Sequence, residues 1–257
     1  MVTTEIAVPG AAFITLNRPD KRNAFDWEML KAFHAAIDEL EGRRDVRVAI
    51  VRSAVERIFV AGGDIAVMRD LTVAEGSRFV YAGHALMRRI EETPLVFIAC
   101  VGGFALGGGT ELPLACDCVV AGESAVFGLP ETSIGLFPGW GGSQRLARAV
   151  GVQRAKELIY TGRRIPAEEA LRIGLATRVV PDAELEAECV KLAGEILANS
   201  PTAVTQAKRA ITQGSRASLD QGLVIEAEAW LANLASPNRV EGLSAFLEKR
   251  KPEFRVD

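Results

Sequence analysis

The sequence predicts an α/β protein built of stacked β-β-α turns and followed by a helical C-terminal region. Three observations predict it. Two glycine-dense stretches, residues 59–65 (FVAGGDI) and 102–111 (GGFALGGGTE), are each entered from an apolar, strand-like run. Strand, turn and helix recur as units, although no tandem repeat of residues is visible. From about Pro181 onward the composition shifts to helix formers, broken only by Asn-Ser-Pro, Gly-Ser and Ser-Pro-Asn.

The elements follow in order. Residues 3–8 and 12–16, separated by Pro9-Gly10, form a small hairpin pattern. Asp26 is a good N-cap for a helix in which Leu30, Phe33, Ile37 and Leu40 recur every three or four residues up to Gly42. A β-branched strand at 46–52 leads into the first glycine loop and a short helix at 65–71. The next helix shows Phe79, Leu86 and Ile90 on one face and ends before Pro94. The pattern then repeats with a buried strand at 95–101, a loop at 102–109 and a helix start at 110–115, where Pro113 would fall in the tolerant first turn. Short strands are expected at 118–121, 125–127 and 176–180, and helices at 183–198, 201–212, 219–234 and 240–250. Leu219, Leu223, Trp230 and Leu234 make an apolar stripe, expected first as intrachain core and second as a subunit interface. The expected division is a spiral core at 1–195 and a C-terminal helical region at 196–257.

Composition narrows the function. At 257 residues the chain can bury a substantial core as one domain. A net charge of −3 and a pI near 5.7 give no long-range attraction to nucleic acid or anionic membrane, so an anionic ligand needs local basic groups. The N-terminus carries Glu5 and lacks a signal-peptide pattern, and no apolar run approaches a membrane span, so a cytoplasmic protein is expected. Cys100, Cys116, Cys118 and Cys189 read as reduced, mostly buried thiols, and Cys116-x-Cys118 is too close for a zinc pair. The only histidines, His34 and His84, lie in helical patterns, which leaves a hydrolytic triad without a base.

The glycine loops and two glutamates carry the chemistry. Each loop can bring a backbone N–H close to a ligand, and two N–H groups aimed at one point make an oxyanion hole. Glu111 closes the second loop and Glu131 follows in FGLPE. A carboxylate pair can add a proton at one carbon and water at its neighbour. Taken singly, Glu111 could be a helix N-terminal charge and Glu131 a turn residue. Lys21 and Arg22 are candidate phosphate partners or a solvated charge run, and Trp140 is a pocket wall or simple packing.

Seven segments in order, LNRPDKRNAF, FVAGGDI, GGFALGGGTEL, CDCVVA, FGLPE, GLFPGWGGSQRL and AFLEKRKPEF, resemble the crotonase, or enoyl-CoA hydratase/isomerase, superfamily over nearly the whole chain. The resemblance implies a crotonase-like ββα spiral core, a C-terminal trimerisation region and an acyl-CoA thioester substrate. It makes the N–H groups of Gly63 and Gly108 the oxyanion donors and Glu111 and Glu131 the catalytic carboxylates. Gly63 departs from the alanine more usual at its place, which leaves a backbone role intact. The resemblance also puts coenzyme A against Lys21 and Arg22, against backbone at Ala61, Asp64 and Ile65, and against Phe246 and Lys249, sometimes across a subunit boundary. Trp140 would line the acyl pocket. It implies a homotrimer or dimer of trimers, with no metal and no redox cofactor, coenzyme A being part of the substrate.

The leading expectation is hydration of a trans-2-enoyl-CoA to a 3-hydroxyacyl-CoA. An isomerase or another crotonase-type acyl-CoA reaction is the alternative, because the fold does not fix the reaction. An RNA-binding or scaffold relative fits poorly with the acidic balance. A nicotinamide dehydrogenase fails because neither glycine run fits G-x-G-x-x-G with a suitable acidic residue downstream.

Overall fold

In the computed structural model, which describes residues 1–256, two sheets share the turns of a spiral. The chain opens with the antiparallel hairpin β1 (Val2–Val8) and β2 (Ala11–Leu16), then α1 (Trp27–Glu41). A first turn contributes β3 (Val48–Ser53), β4 (Ile58–Val60), α2 (Ile65–Arg69) and α3 (Val73–Glu92). A second contributes β5 (Val96–Val101), β6 (Phe104–Leu106) and α4 (Gly108–Ala115). A third contributes β7 (Cys118–Gly122), β8 (Val126–Gly128), α5 (Gly142–Val150) and α6 (Val152–Thr161). Then come β9 (Ile165–Pro166), α7 (Ala167–Ile173), β10 (Arg178–Val180), α8 (Leu185–Leu197), α9 (Pro201–Gly214), α10 (Leu219–Leu234) and α11 (Pro237–Leu247).

The six-stranded sheet runs β1-β2-β3-β5-β7-β10 and the four-stranded sheet β4-β6-β8-β9. Each turn therefore gives one strand to each sheet, with every pairing parallel except β1 with β2 and β8 with β9. The larger sheet is covered on both faces, which is why its strands read as unbroken apolar runs. Phe97, Ala99 and Val101 of β5 join the main core, whereas Val96, Ile98 and Cys100 face a second cluster with Leu185, Cys189, Leu192 and Ala193 of α8. That alternation follows from the two-residue period of a strand.

The hairpin, the Asp26 cap and the helix bearing Phe79, Leu86 and Ile90 form as the pattern predicts; Asp26 accepts the Met29 N–H at 2.8 Å. Several details differ. The glycine stretches are not all loop: residues 58–60 and 104–106 pair as β4 and β6, too short to show a period. Helix α4 begins at Gly108, so Pro113 sits past its first turn, and the helix ends two residues later. Helices α5, α6 and α7 were not anticipated from the pattern. The last helix runs from Pro237, capped by Ser236, rather than from Val240.

The stripe on α10 is not intrachain core. Leu219, Leu223 and Trp230 are exposed, and Ala229 is the helix's buried residue among those described. Helix α9 is instead tied down by a charge: Lys208 Nζ donates to the Ile90 and Leu95 carbonyls and to Asp117 Oδ2 at 3.0, 2.6 and 2.8 Å. Among the described residues, no helix is long and apolar enough to cross a membrane.

Candidate active site

The two glycine loops meet. Gly62 has φ 114° and Gly107 has φ 54°, conformations that favour glycine, and a Cβ added at Gly107 would lie 3.6 Å from Gly62 Cα. Thr110, buried at the start of α4, fixes the second loop from beneath. Its hydroxyl donates to the Ala105 carbonyl at 2.6 Å and accepts the Gly128 N–H at 3.0 Å. The first loop is held by Phe25, whose N–H donates to Gly62 O and whose carbonyl accepts the Asp64 N–H, both at 2.8 Å. Asn23 anchors the preceding segment, donating to Ser53 Oγ and the Phe59 carbonyl at 2.8 and 2.9 Å.

Where the loops meet, a cavity of about 360 Å³ opens. Gly63, Gly108, Glu111, Glu131, Trp140, Ala61 and Ile65 all line it, so seven of the expected site residues converge on one space. Gly108 opens α4, where the first N–H groups lack intrahelical acceptors and the helix dipole favours negative charge.

Glu111 is 2% exposed. Its Oε1 accepts the N–H groups of Trp140 and Gly142, both at 2.7 Å. Burial pushes its carboxyl above the usual range, opposed by those two hydrogen bonds and by the Arg145 guanidinium. Glu131 sits in a single 3-10 turn, Pro130–Ile134, and is pushed up to about 7, first by burial and further by the Glu111 charge, against its own backbone N–H. Its buried Oε2 has no hydrogen-bond partner among the described residues. One carboxylate held by two donors beside a second carboxyl pushed up to about 7 is an arrangement that can serve as a base and acid pair.

Trp140 is buried, its ring centroid 5.5 Å from Phe25 and 5.2 Å from Phe79. It both packs and lines the cavity, so the two expected roles coexist.

The expected coenzyme contacts divide. Lys21 and Arg22 are exposed outside the cavity lining, but the Arg22 carbonyl accepts the Ala61 N–H at 3.1 Å, which puts their loop at its edge. Lys21 also pairs with Asp64 at 3.8 Å, beside Ile65. The N–H groups of Ala61 and Asp64 are both spent within the chain, so neither can donate to a ligand. Phe246 and Lys249 are exposed and are not part of the cavity wall within one chain.

Sequence reasoning missed other lining residues: Met68, Val80, Leu106, Ile134, Leu136, Phe137 and Arg164. Ile134, Leu136 and Phe137 are exposed apolar groups beside the GWGG loop, and that bracketing by glycines is the signal that could have found them. Arg164, inside a run of ordinary loop character, offered none.

The enoyl-CoA hydratase/isomerase family model matches residues 8–256. A short-chain-enoyl-CoA hydratase of Clostridium acetobutylicum is 41% identical over 94% of this chain and 93% of its own. A crotonyl-CoA hydratase of Syntrophomonas wolfei is 41% identical over 95% and 94%. The crystal structure of an enoyl-CoA hydratase from Bacillus anthracis superposes with a TM-score of 0.95 at 40% identity, covering 100% of this chain and 99% of that one. With the spiral core and the glycine-loop cavity already in place, a match of this extent makes the chain a member of the enoyl-CoA hydratase/isomerase family.

Proposed function

We propose that the protein is an enoyl-CoA hydratase that converts a trans-2-enoyl-CoA reversibly to a 3-hydroxyacyl-CoA. The observation that carries this reading is the pairing of a hydrogen-bonded Glu111 with a Glu131 pushed up to about 7, across one cavity. The thioester oxygen takes the N–H groups of Gly63 and Gly108, and the negative charge that develops there is stabilised; each such donor is worth roughly 2.7–4 kcal/mol in the transition state. Glu111 orients a water and removes its proton as it attacks C3. Glu131 delivers a proton to C2 on the same face of the substrate. The reaction needs no metal or redox cofactor in this scheme, coenzyme A arriving with the substrate.

The coenzyme's phosphates fall to Lys21 and Arg22, and its adenine to the Ala61 carbonyl and the start of α2 at Ile65. Phe246 and Lys249 would reach it only from a neighbouring subunit. We assign the chain a spiral core at 1–195 and an assembly region at 196–257, forming a homotrimer or dimer of trimers. The apolar side chains exposed on α10 and α11 support that reading. Four unpaired thiols fit a reducing compartment, in our reading the cytoplasm.

The test is hydration of crotonyl-CoA and longer enoyl-CoA thioesters, followed by loss of the conjugated thioester absorbance. Either Glu111→Gln or Glu131→Gln should lower kcat by at least ~10²-fold with modest change in KM, because glutamine keeps the shape but exchanges no proton. The double variant should be little worse than the worse single. A chain in which only Glu111→Gln is inactive would be a one-base isomerase or another lyase. Full activity in both would remove the carboxylates from the chemistry.

A further inference from the structure

Glu111 is held by the backbone of the GWGG loop, so whatever holds that loop sets the position of the carboxylate. The loop turns through Gly141, at φ 104°, and leads into α5, which carries Arg145. Each of the three guanidinium nitrogens of Arg145 makes a local hydrogen bond. Nε and Nη2 form a fork on Glu91 of α3, at 2.8 and 2.6 Å to Oε1 and Oε2. Nη1 donates to the Trp140 carbonyl at 2.9 Å. The N–H of Trp140 in turn donates to Glu111 Oε1. A Cβ added at Gly141 would lie 2.0 Å from Arg145 Nη1, so the turn leaves room for the guanidinium only as glycine. Both charges are largely shielded, at 19% and 16% exposure. Glu91 is gripped a second time by Arg216, which follows α9, at 2.6 Å.

We propose that Arg145, locked by Glu91, is a positioning residue that fixes the Trp140–Gly142 backbone against Glu111 and so sets the geometry of the base; this rests on the hydratase reading above. A bidentate guanidinium suits the task because its planar fork fixes direction as well as charge, which an ammonium does not. The charge that acts on Glu111 is Arg145 from α5, which favours its ionised form, and the charge of Glu111 in turn raises Glu131 of the 3-10 turn. Arg145 therefore works on the base through the loop and through its field.

The test compares Arg145→Met, Arg145→Lys and Glu91→Gln with the native enzyme by kcat, KM and pH profile, and by carbon-13 NMR titration of the glutamate carboxyls. Arg145→Met should lower kcat by ~10²-fold with KM nearly unchanged, the scale expected of a misplaced catalytic group. Its acid limb and the Glu111 titration should both move to higher pH. Arg145→Lys should bring the titration back toward native while kcat stays depressed, which a merely structural role does not predict. A folded Arg145→Met with kcat within threefold of native and an unmoved Glu111 titration overturns the proposal. If that variant does not fold, Glu91→Gln decides: a ~10-fold fall in kcat supports the proposal, and a native kcat overturns it. A native protein that hydrates no enoyl-CoA overturns the functional reading alone. The Glu111 titration in Arg145→Met, or in Arg145→Lys and Glu91→Gln if that variant fails to fold, then decides this proposal, and an unmoved titration overturns it.

Discussion

Gly142 gives its N–H to Glu111 Oε1 at 2.7 Å and stands so close that an added Cβ would lie 2.9 Å from the same oxygen. The same Cβ would meet Pro138 Cβ at 2.9 Å and Glu111 Cγ at 3.0 Å. The carboxylate is thus wedged onto backbone with no room for a methyl group between them.

Gly142→Ala should therefore disturb catalysis more than folding. The backbone there lies in a helix, where alanine is favoured, so the cost falls on the contacts with Glu111 and Pro138. We expect kcat for crotonyl-CoA hydration to fall by ~10²-fold, with coenzyme A product binding retained. A native kcat in a folded Gly142→Ala enzyme would show that the carboxylate tolerates displacement.

The two glycines of the first loop should separate cleanly. Gly63 has no positive φ, and an added Cβ would meet the flexible end of Met68, Sδ at 3.1 Å and Cε at 3.2 Å. Gly63→Ala should keep kcat within about threefold and stabilise the fold by about 0.4–1 kcal/mol through the unfolded chain. Gly62 has φ 114°, and its Cβ would sit 3.2 Å from the Leu106 carbonyl, in a region that alanine resists. Gly62→Ala should lower both Tm and kcat. Thermal scans and steady-state rates on the pair check this, and a Gly63→Ala enzyme as impaired as Gly62→Ala would refute a purely backbone role for residue 63.

Much of this site was legible because its chemistry is written in backbone-permissive residues. Glycine runs mark the two loops, with Glu111 closing the second, whereas the roles of Gly63, Gly108, Glu111 and Glu131 come from the family resemblance across the whole chain. The partners that tune them were not legible. Trp140 and Gly142 reach Glu111 across about thirty residues, and Glu91 reaches Arg145 from another helix, contacts that no local period encodes. The β4 and β6 strands were hidden for a different reason: three residues cannot show an alternation. The α10 stripe misled because apolar periodicity reports burial somewhere, not burial within the same chain.

Glu131 should make both activity and stability depend on pH, with opposite consequences for its glutamine variant. As the proton donor in hydration it must be protonated, so the rate should fall as pH rises through about 7, while ionisation of Glu111 sets the acid limb. Its folded-state pKa is raised above the unfolded value, so its contribution to stability is present below the unfolded pKa and lost as pH rises through about 7. Partial solvent exposure discounts the effect to about 1 kcal/mol, or about 2–4 °C in Tm. Glu131→Gln should thus melt about 2–4 °C higher than native at pH 9 and equally at pH 4. An equal Tm at both pH values would mean that the carboxyl is not strained by burial.

The exposed stripe on α10 gives the last prediction. Leu219, Leu223, Trp230 and Leu231 are 78, 52, 60 and 61% exposed on a helix with little contact to the core, and Leu243, Phe246 and Leu247 of the C-terminal region add to them. So much apolar surface in one region is what the proposed subunit interface would bury. Placing a charge at its centre costs the assembly directly while leaving the spiral core, the glycine loops and Glu111 untouched. Trp230→Glu should therefore shift the protein from trimer to monomer in light scattering at micromolar concentration, with the far-UV CD of the core retained. If Phe246 and Lys249 complete the coenzyme site across the boundary, KM for enoyl-CoA should rise in the monomer by ~10-fold or more, the scale of one lost ionic or stacking contact. A monomer with native KM would leave the coenzyme site within one chain. A Trp230→Glu protein that stays trimeric would move the interface away from α10 altogether.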